Sequence, residues 1–281
     1  MSNSVLIGAD PEILLVKDNK FVSVEGLIGG TKSVPVPIPD MPSGFMMQED
    51  NVMLEFNIPP CETTHDFHFS VESALERLSN IMSEHGIGLA MVPSGEYDEA
   101  LLDTPQGSQF GCSPDSDAYL RGTASAVRAE SMGQTRAAGG HVHLGYIGVR
   151  GVPELPGYVV AQLCDATLGL DEIRRGVSQG ARRASYGTAG RYRDKPYGIE
   201  YRTLANNWIF RDSDRVARAA LQVGELLKSP DLVDVYNLMP WTEIQRAINT
   251  EDVAMARDLA AYIEPYLERS GLRESAYAVA S

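Results

Sequence analysis

The stretch "AAGGHVHLGY", residues 137–146, holds two of the chain's five histidines, one residue apart. On a strand, His141 and His143 share a face, because successive side chains point to opposite sides. Three other segments repeat the arrangement with other ligand types. Asp10 and Glu12 pair in "GADPEILL". Glu55 and Asn57 pair in "VMLEFNIP", with Glu49 and Asp50 just upstream. Glu200 and Arg202 pair in "GIEYRTL". Taken singly, each reads as an ordinary solvated sheet face, and Glu200 with Arg202 as a surface ion pair worth little. Together they carry carboxylates, imidazoles and a guanidinium where a solvated face would also favour Thr, Ser and Lys. Four such segments point to one concave surface. Carboxylate oxygens suit Mg²⁺ or Mn²⁺, and an imidazole in the shell is better tolerated by Mn²⁺.

A second constellation lies in "RRASYGTAGRYRDKPYG". With Arg174 and Arg175 upstream, Arg182, Arg183, Arg191, Arg193 and Lys195 crowd into a short span of an otherwise acidic chain. Gly180, Gly187 and Gly190 allow close backbone approach to an anion, and guanidinium groups suit phosphate. The plain alternative is a solvated basic loop that balances the acidic remainder. Carboxylates and arginines on one basin suggest a metal-bound nucleotide, with arginines stabilising charge on a transferring phosphoryl group. The chain has no GxxxxGK[ST] loop and no kinase HRD or DFG segment, so such a site is of another kind. Two further readings stay open. One is a metal-dependent hydrolase in which the same ligands activate water; it gives the arginines nothing to do. The other is a catalytically silent binding or structural protein.

These residues need strands to position them. The first sixty residues read as β-structure, with a hairpin at "KDNK", a proline-rich edge segment at "TKSVPVPIPD" and a strand at "NVMLEFNIPP". A helix capped by Ser70 carries the stripe Val71, Ala74, Leu75, Leu78, Ile81 and Met82, and Gly86 stops it. "GLAMVPSG" reads as a strand, 94–136 as loop-rich, "GGHVHLGYI" as a strand and 156–176 as a helix. The basic segment reads as a loop, followed by the strand "IEYRTLAN". Helices are expected at about 213–228, 242–248 and 251–269. No repeat or Gly/Ser linker divides the 281 residues, so a single domain with a helical C-terminal extension is expected.

Composition narrows the partners. A net charge of −14 argues against non-specific nucleic-acid binding, which needs basic surface. Cys61, Cys112 and Cys164 are odd in number and form no CxxC pair, which indicates neither a zinc knuckle nor a disulfide framework and fits a reducing cytoplasm. The first apolar run is broken by Asp10, Pro11 and Glu12. Neither a signal peptide nor a membrane span is expected.

In order along the chain, "GADPE", "QEDNVMLEFNIPP", "FGCSPDSDAY", "GGHVHLGY" and "YGIEYRTLANNW" resemble the phage-type COOH–NH2 ligases, or type 2 amidoligases, of the glutamine synthetase and glutamate–cysteine ligase superfamily. The resemblance runs from about residue 5 to residue 215; residues 216–281 carry no motif. It implies an α+β fold with a curved, mainly antiparallel sheet backed by helices and an open active-site face. It implies ATP and Mg²⁺ (or Mn²⁺), phosphorylation of a substrate carboxylate, and attack by an amine on the acyl phosphate. By motif, Asp10, Glu12, Glu55, His141 and Glu200 resemble metal ligands, with Glu49 (or Asp50) as the upstream partner of Glu55. Arg202 resembles the phosphate-binding arginine, and His143 would face the reacting carboxylate. Arg191 and Arg193 are further phosphate contacts by loop composition alone. The acid and amine stay open among amino acids, peptides, protein side chains and cell-wall components. The oligomeric state is not legible. A phage-encoded member would act in the host cytoplasm.

Overall fold

The structure is a computed structural model that describes residues 3–108, 115–125 and 133–269. "FGCSPDSDAY" is therefore described only from Asp115 onward, and Cys112 lies outside the described residues. Fourteen strands and eight α-helices are described. In chain order they are β1 (Leu6–Ala9), β2 (Glu12–Lys17), β3 (Lys20–Val22), β4 (Val36–Pro37), β5 (Met46–Asp50), β6 (Met53–Asn57), α1 (Thr64–Glu84), β7 (Gly88–Ala90), β8 (Ser94–Glu96), α2 (Glu99–Leu102), β9 (Asp115–Asp117), β10 (Thr123–Ser125), β11 (Thr135–Ala137), β12 (Val142–Gly145), α3 (Gly157–Cys164), α4 (Leu170–Arg174), β13 (Arg191–Lys195), β14 (Gly198–Tyr201), α5 (Ser213–Lys228), α6 (Leu232–Leu238), α7 (Trp241–Asn249) and α8 (Val253–Arg269).

One sheet has the order β1-β12-β14-β13-β9-β10; a second runs β3-β2-β6-β5-β4, with β7 also on β2. All the strand pairings in them are antiparallel. The sheets meet along one bent stretch of chain. β1 pairs with β12, and β2, just beyond it, pairs with β6. Between them the Asp10 N–H reaches the His141 carbonyl, and the Phe56 N–H reaches the Pro11 carbonyl. Pro11 removes a donor at the bend. The result is the curled antiparallel sheet expected of an α+β chain.

Alternation places the core on one side of the first sheet. Ile7, Val142, Leu144, Ile199 and Tyr201 are fully buried against α3 and α5. Between α3 and α4 the helix is interrupted by a five-residue π-helical bulge, Asp165–Gly169. The fully buried Asp165 carboxylate accepts from the Tyr201 hydroxyl at 2.6 Å.

Two element boundaries differ from expectation. α1 starts at Thr64, well before the stripe led by Val71, because Thr63 caps it: its hydroxyl accepts from the Asp66 N–H. Ser70 is a buried residue within that helix. The basic segment is not all loop, since Arg191–Lys195 form β13 and hairpin with β14. The C-terminal helices α5, α7 and α8 fall close to where they were expected, and α6 is additional. Among the described residues, no helix is long and apolar enough to cross a membrane.

Candidate active site

Register brings the sequence pairs together. His143 stands opposite Glu200 and Gly8, and Glu200 stands opposite Arg193. One step along, Asp10 follows Gly8, and His141 and Arg202 extend the same rows. The His143 Nε2 lies 2.9 Å from Asp10 Oδ1, and the Tyr197 hydroxyl lies 2.5 Å from its Nδ1. His141 Nδ1 lies 3.3 Å from Asp10 Oδ1, 3.7 Å from Glu200 Oε1 and 3.3 Å from an Arg202 nitrogen. Arg202 also pairs with Glu200 and, at 3.0 Å, with the buried Asp115. Arg193 reaches both carboxylates, and Lys195 lies 2.6 Å from Glu200 Oε2. The glycines that open this segment serve packing. A side chain on Gly139 would collide with the His141 ring, and one on Gly140 with the Ala205 carbonyl and the Trp208 indole.

Beside this group lies a second. Glu12 stands opposite Glu55, which stands opposite Gln48. Asp50, next but one after Gln48, shares their face. Glu12, Asp50 and Glu55 are all buried, and each offers an oxygen within 4.8 Å of the others. Asp10, His143 and Glu200 form the corresponding set in the first group. Lys32 donates to Asp50 Oδ2 at 2.9 Å. Glu12 also accepts from the Gly139 N–H, which ties the second group to the histidine segment.

The two groups differ electrostatically. Burial alone would raise the Asp10 pKa, but His143 and His141 hold it well below the usual carboxylate range. Burial and Asp10 push Glu200 up; Arg202 and the two histidines outweigh them and bring it to about 2. Burial lowers the His143 pKa, and the Asp10 carboxylate more than reverses this. Glu55 behaves oppositely. Burial, then Asp10, Asp50 and Glu12, drive its pKa well above the ordinary value against the pull of Lys32. The first group is charge-paired; the second is short of positive charge.

Both groups suit a divalent cation. Asp10 Oδ1, His143 Nε2, Glu200 Oε2 and Glu55 Oε2 are buried atoms without a hydrogen-bond partner, although ion-pair contacts surround the first three. Buried polar atoms are normally hydrogen-bonded, and converging oxygen-rich donors are what Mg²⁺ and Mn²⁺ bind.

The structure brings together Asp10, Glu12, Glu55, His141, His143, Glu200, Arg193 and Arg202. It sets Glu49 apart. Glu49 points to the opposite face of β5, where its carboxylate accepts from the Gly26, Ile28 and Gly29 N–H groups and from Gln106. Asp50 takes the place expected of the upstream acid. His143, rather than His141, has its nitrogen in the compact donor set. Arg191 is buried with its Nε on the Thr188 hydroxyl. Arg182 and Arg183 serve the framework: Arg182 donates to the Arg202 and Thr203 carbonyls, and Arg183 pairs with the buried Glu172 at 2.7 Å. Arg174 and Arg175 pair with Asp171 and Asp212. Sequence reasoning passes over Asp115, Lys32 and Tyr197. Asp115 lies within the motif "FGCSPDSDAY", and Lys195, in the basic segment, counts in the sequence only as positive charge. Lys32 and Tyr197 carry no signal, being single residues in turns.

Fold and site together describe an α+β protein whose curled antiparallel sheet presents paired acids, imidazoles and guanidinium groups on one face. The sequence profile of the family described as phage phiEco32-like COOH.NH2 ligase-type 2 matches residues 124–269, just over half of the chain. The chain belongs to that family, a family of carboxylate–amine ligases. The match continues past the motif "YGIEYRTLANNW" into the C-terminal helices. No curated protein matches this sequence. Among solved structures, a GmaS/ADP complex (conformation 1) is similar over 95% of this chain and 69% of its own, with a TM-score of 0.39 and 12% identity. That likeness is too distant to assign chemistry.

Proposed function

We propose that this chain is an ATP-dependent carboxylate–amine ligase that makes an amide through an acyl phosphate, using Mg²⁺ or Mn²⁺. The observation that carries the reading is the pairing of two donor sets, the half-buried Asp10–His143–Glu200 and the buried Glu12–Asp50–Glu55, with Arg202, Arg193 and Lys195 on the same face. Family membership supports the acid and amine as substrates. When bound, divalent ions would supply charge neutralisation for a nucleotide's phosphates. Asp10, His143 and Glu200 would hold one ion; Glu12, Asp50 and Glu55 would hold another. Arg202 and Arg193, which pair with Glu200 and Asp115, would turn to phosphoryl oxygens as charge develops there. His141, packed between Asp10 and Arg202, keeps that guanidinium in place. The chain would act as one catalytic domain, in the cytoplasm, on an amino acid, peptide, protein side chain or cell-wall acid.

The test is ADP release from ATP and Mg²⁺ with pooled carboxylates and amines, followed by mass spectrometry for the amide. The expected result is ADP formation that requires both substrates. Hydrolysis of a substrate without nucleotide would favour the metal-hydrolase reading. Absence of any metal-dependent nucleotide binding would overturn the proposal.

A further inference from the structure

We propose that Lys32 is a tethered counter-cation: its ammonium holds the place of a divalent ion among Glu12, Asp50 and Glu55, and ion binding displaces it. The inference rests on reading that acidic set as a metal site.

The chain builds an arm to deliver this lysine. The Glu49 carboxylate gathers the N–H groups of Gly26, Ile28 and Gly29. Thr31 bridges to both Val34 and Glu49. At Gly30 a Cβ would come within 2.7 Å of the Met47 carbonyl, so the arm lies against β5 with no room for a side chain. Just beyond, Lys32 crosses to the other face and donates to Asp50 at 2.9 Å. Adjacent residues of β5 thus act on the arm in turn, with Glu49 clamping its backbone and Asp50 receiving its charge.

The lysine is an incomplete occupant. Three buried carboxylates lie within 4.8 Å of one another, the ammonium bonds to the one on Asp50, and Glu55 Oε2 still has no hydrogen-bond partner. A divalent ion would take one oxygen from each acid at once. Lys32 is also placed to leave: its side chain is 45% exposed against 8% for Asp50, so it can withdraw to solvent without opening the core. Its pull on the set would keep the acids paired before an ion arrives, at the expense of ion affinity.

Lys32→Met in the full chain separates this from a purely structural role, with thermal melts and Mn²⁺ titration calorimetry as readouts. The metal-free variant should melt below wild type, because three clustered carboxylates lose their cation. Its Mn²⁺ affinity should rise about ten-fold or more, as the removal of a neighbouring like charge requires. Mn²⁺ should therefore raise its melting temperature further than it raises that of wild type. Lys32→Arg, which keeps the charge, should behave as wild type without metal. Mn²⁺ affinity equal to or below wild type in Lys32→Met, or a lost melting temperature that Mn²⁺ does not restore, overturns the inference. Glu55→Gln distinguishes the deeper failure: if it binds Mn²⁺ as wild type does, the acidic set is not a metal site and the functional reading falls with it.

Discussion

Asp165 offers a test of the fold that does not depend on any ligand. It is fully buried behind β14, and burial pushes its pKa from the ordinary 3.8 up to about 7, although the Tyr201 hydroxyl bond opposes the shift. A carboxyl whose folded pKa is raised binds its proton more tightly in the native state. Below the unfolded value it is protonated in both states and costs nothing. Between about pH 4 and 7 the unfolded chain loses the proton first, and stability falls by about 1.4 kcal/mol per pH unit. Above about pH 7 the loss levels off at about 4 kcal/mol, the span of roughly three units. Asp165→Asn cannot ionise. Its stability relative to wild type should climb by about 4 kcal/mol from about pH 4 to about pH 7 and then stay flat. Any fixed cost of the amide shifts the whole curve without changing its slope. Urea unfolding followed by tryptophan fluorescence, in steps of half a pH unit, measures the difference, and groups common to both proteins cancel. A difference that is constant with pH, or that falls as pH rises, would refute the buried, protonated acid.

Three further outcomes follow from the site. Glu12→Gln, Glu55→Gln and Glu200→Gln should each lose Mn²⁺-dependent nucleotide binding while circular dichroism stays native; unchanged affinity in all three would return these residues to a structural role. Tyr197→Phe removes the hydroxyl on His143 Nδ1 but keeps the ring stacked on the imidazole. Ion affinity should fall roughly ten- to a hundred-fold, as when a ligand histidine loses its outer partner, and calorimetry giving wild-type affinity would count against His143 as a ligand. Arg183→Ala leaves Glu172 buried without its cation, so stability should drop by about 3–5 kcal/mol. A variant that folds normally and loses only nucleotide affinity would instead restore Arg183 to a phosphate-binding loop.

The strand-borne acids and histidines are legible because a period of two is written directly in the sequence. "GADPE", "HVH" and "IEYR" each announce a face, and antiparallel register places those faces together. Glu49 against Asp50 shows the limit. The choice turns on one residue of register, which the two-residue turn Asn51–Val52 sets by pairing Asp50 with Met53. Asn51 adopts a positive φ of 58° there, as tight hairpins require. The asparagine is a signal of that turn, and the sequence reading leaves it unused. The arginines are harder, because residue type and density do not say whether a guanidinium meets phosphate or a buried glutamate. Arg182 and Arg183 go to the framework, while Arg193 and Lys195 reach the site through a strand that the glycines conceal. The start of α1 is hidden by its polar first turns, where the Thr63 cap rather than the apolar stripe marks the beginning.

Alternation on β14 has one more consequence. Glu200, and Arg202 just past the strand's end, face the candidate site, while Ile199, Tyr201 and, beyond the strand, Thr203 face the core and Asp165 behind it. The strand has no idle positions. Substitutions have little freedom here, since Ile199 and Tyr201 pack the core and Glu200 is held in a buried charge network. A single inserted or deleted residue within it would exchange the two sets, putting carboxylate and guanidinium into the apolar interior and tyrosine into the basin. A change in length is better tolerated in the turns that join these strands, where parity has no meaning.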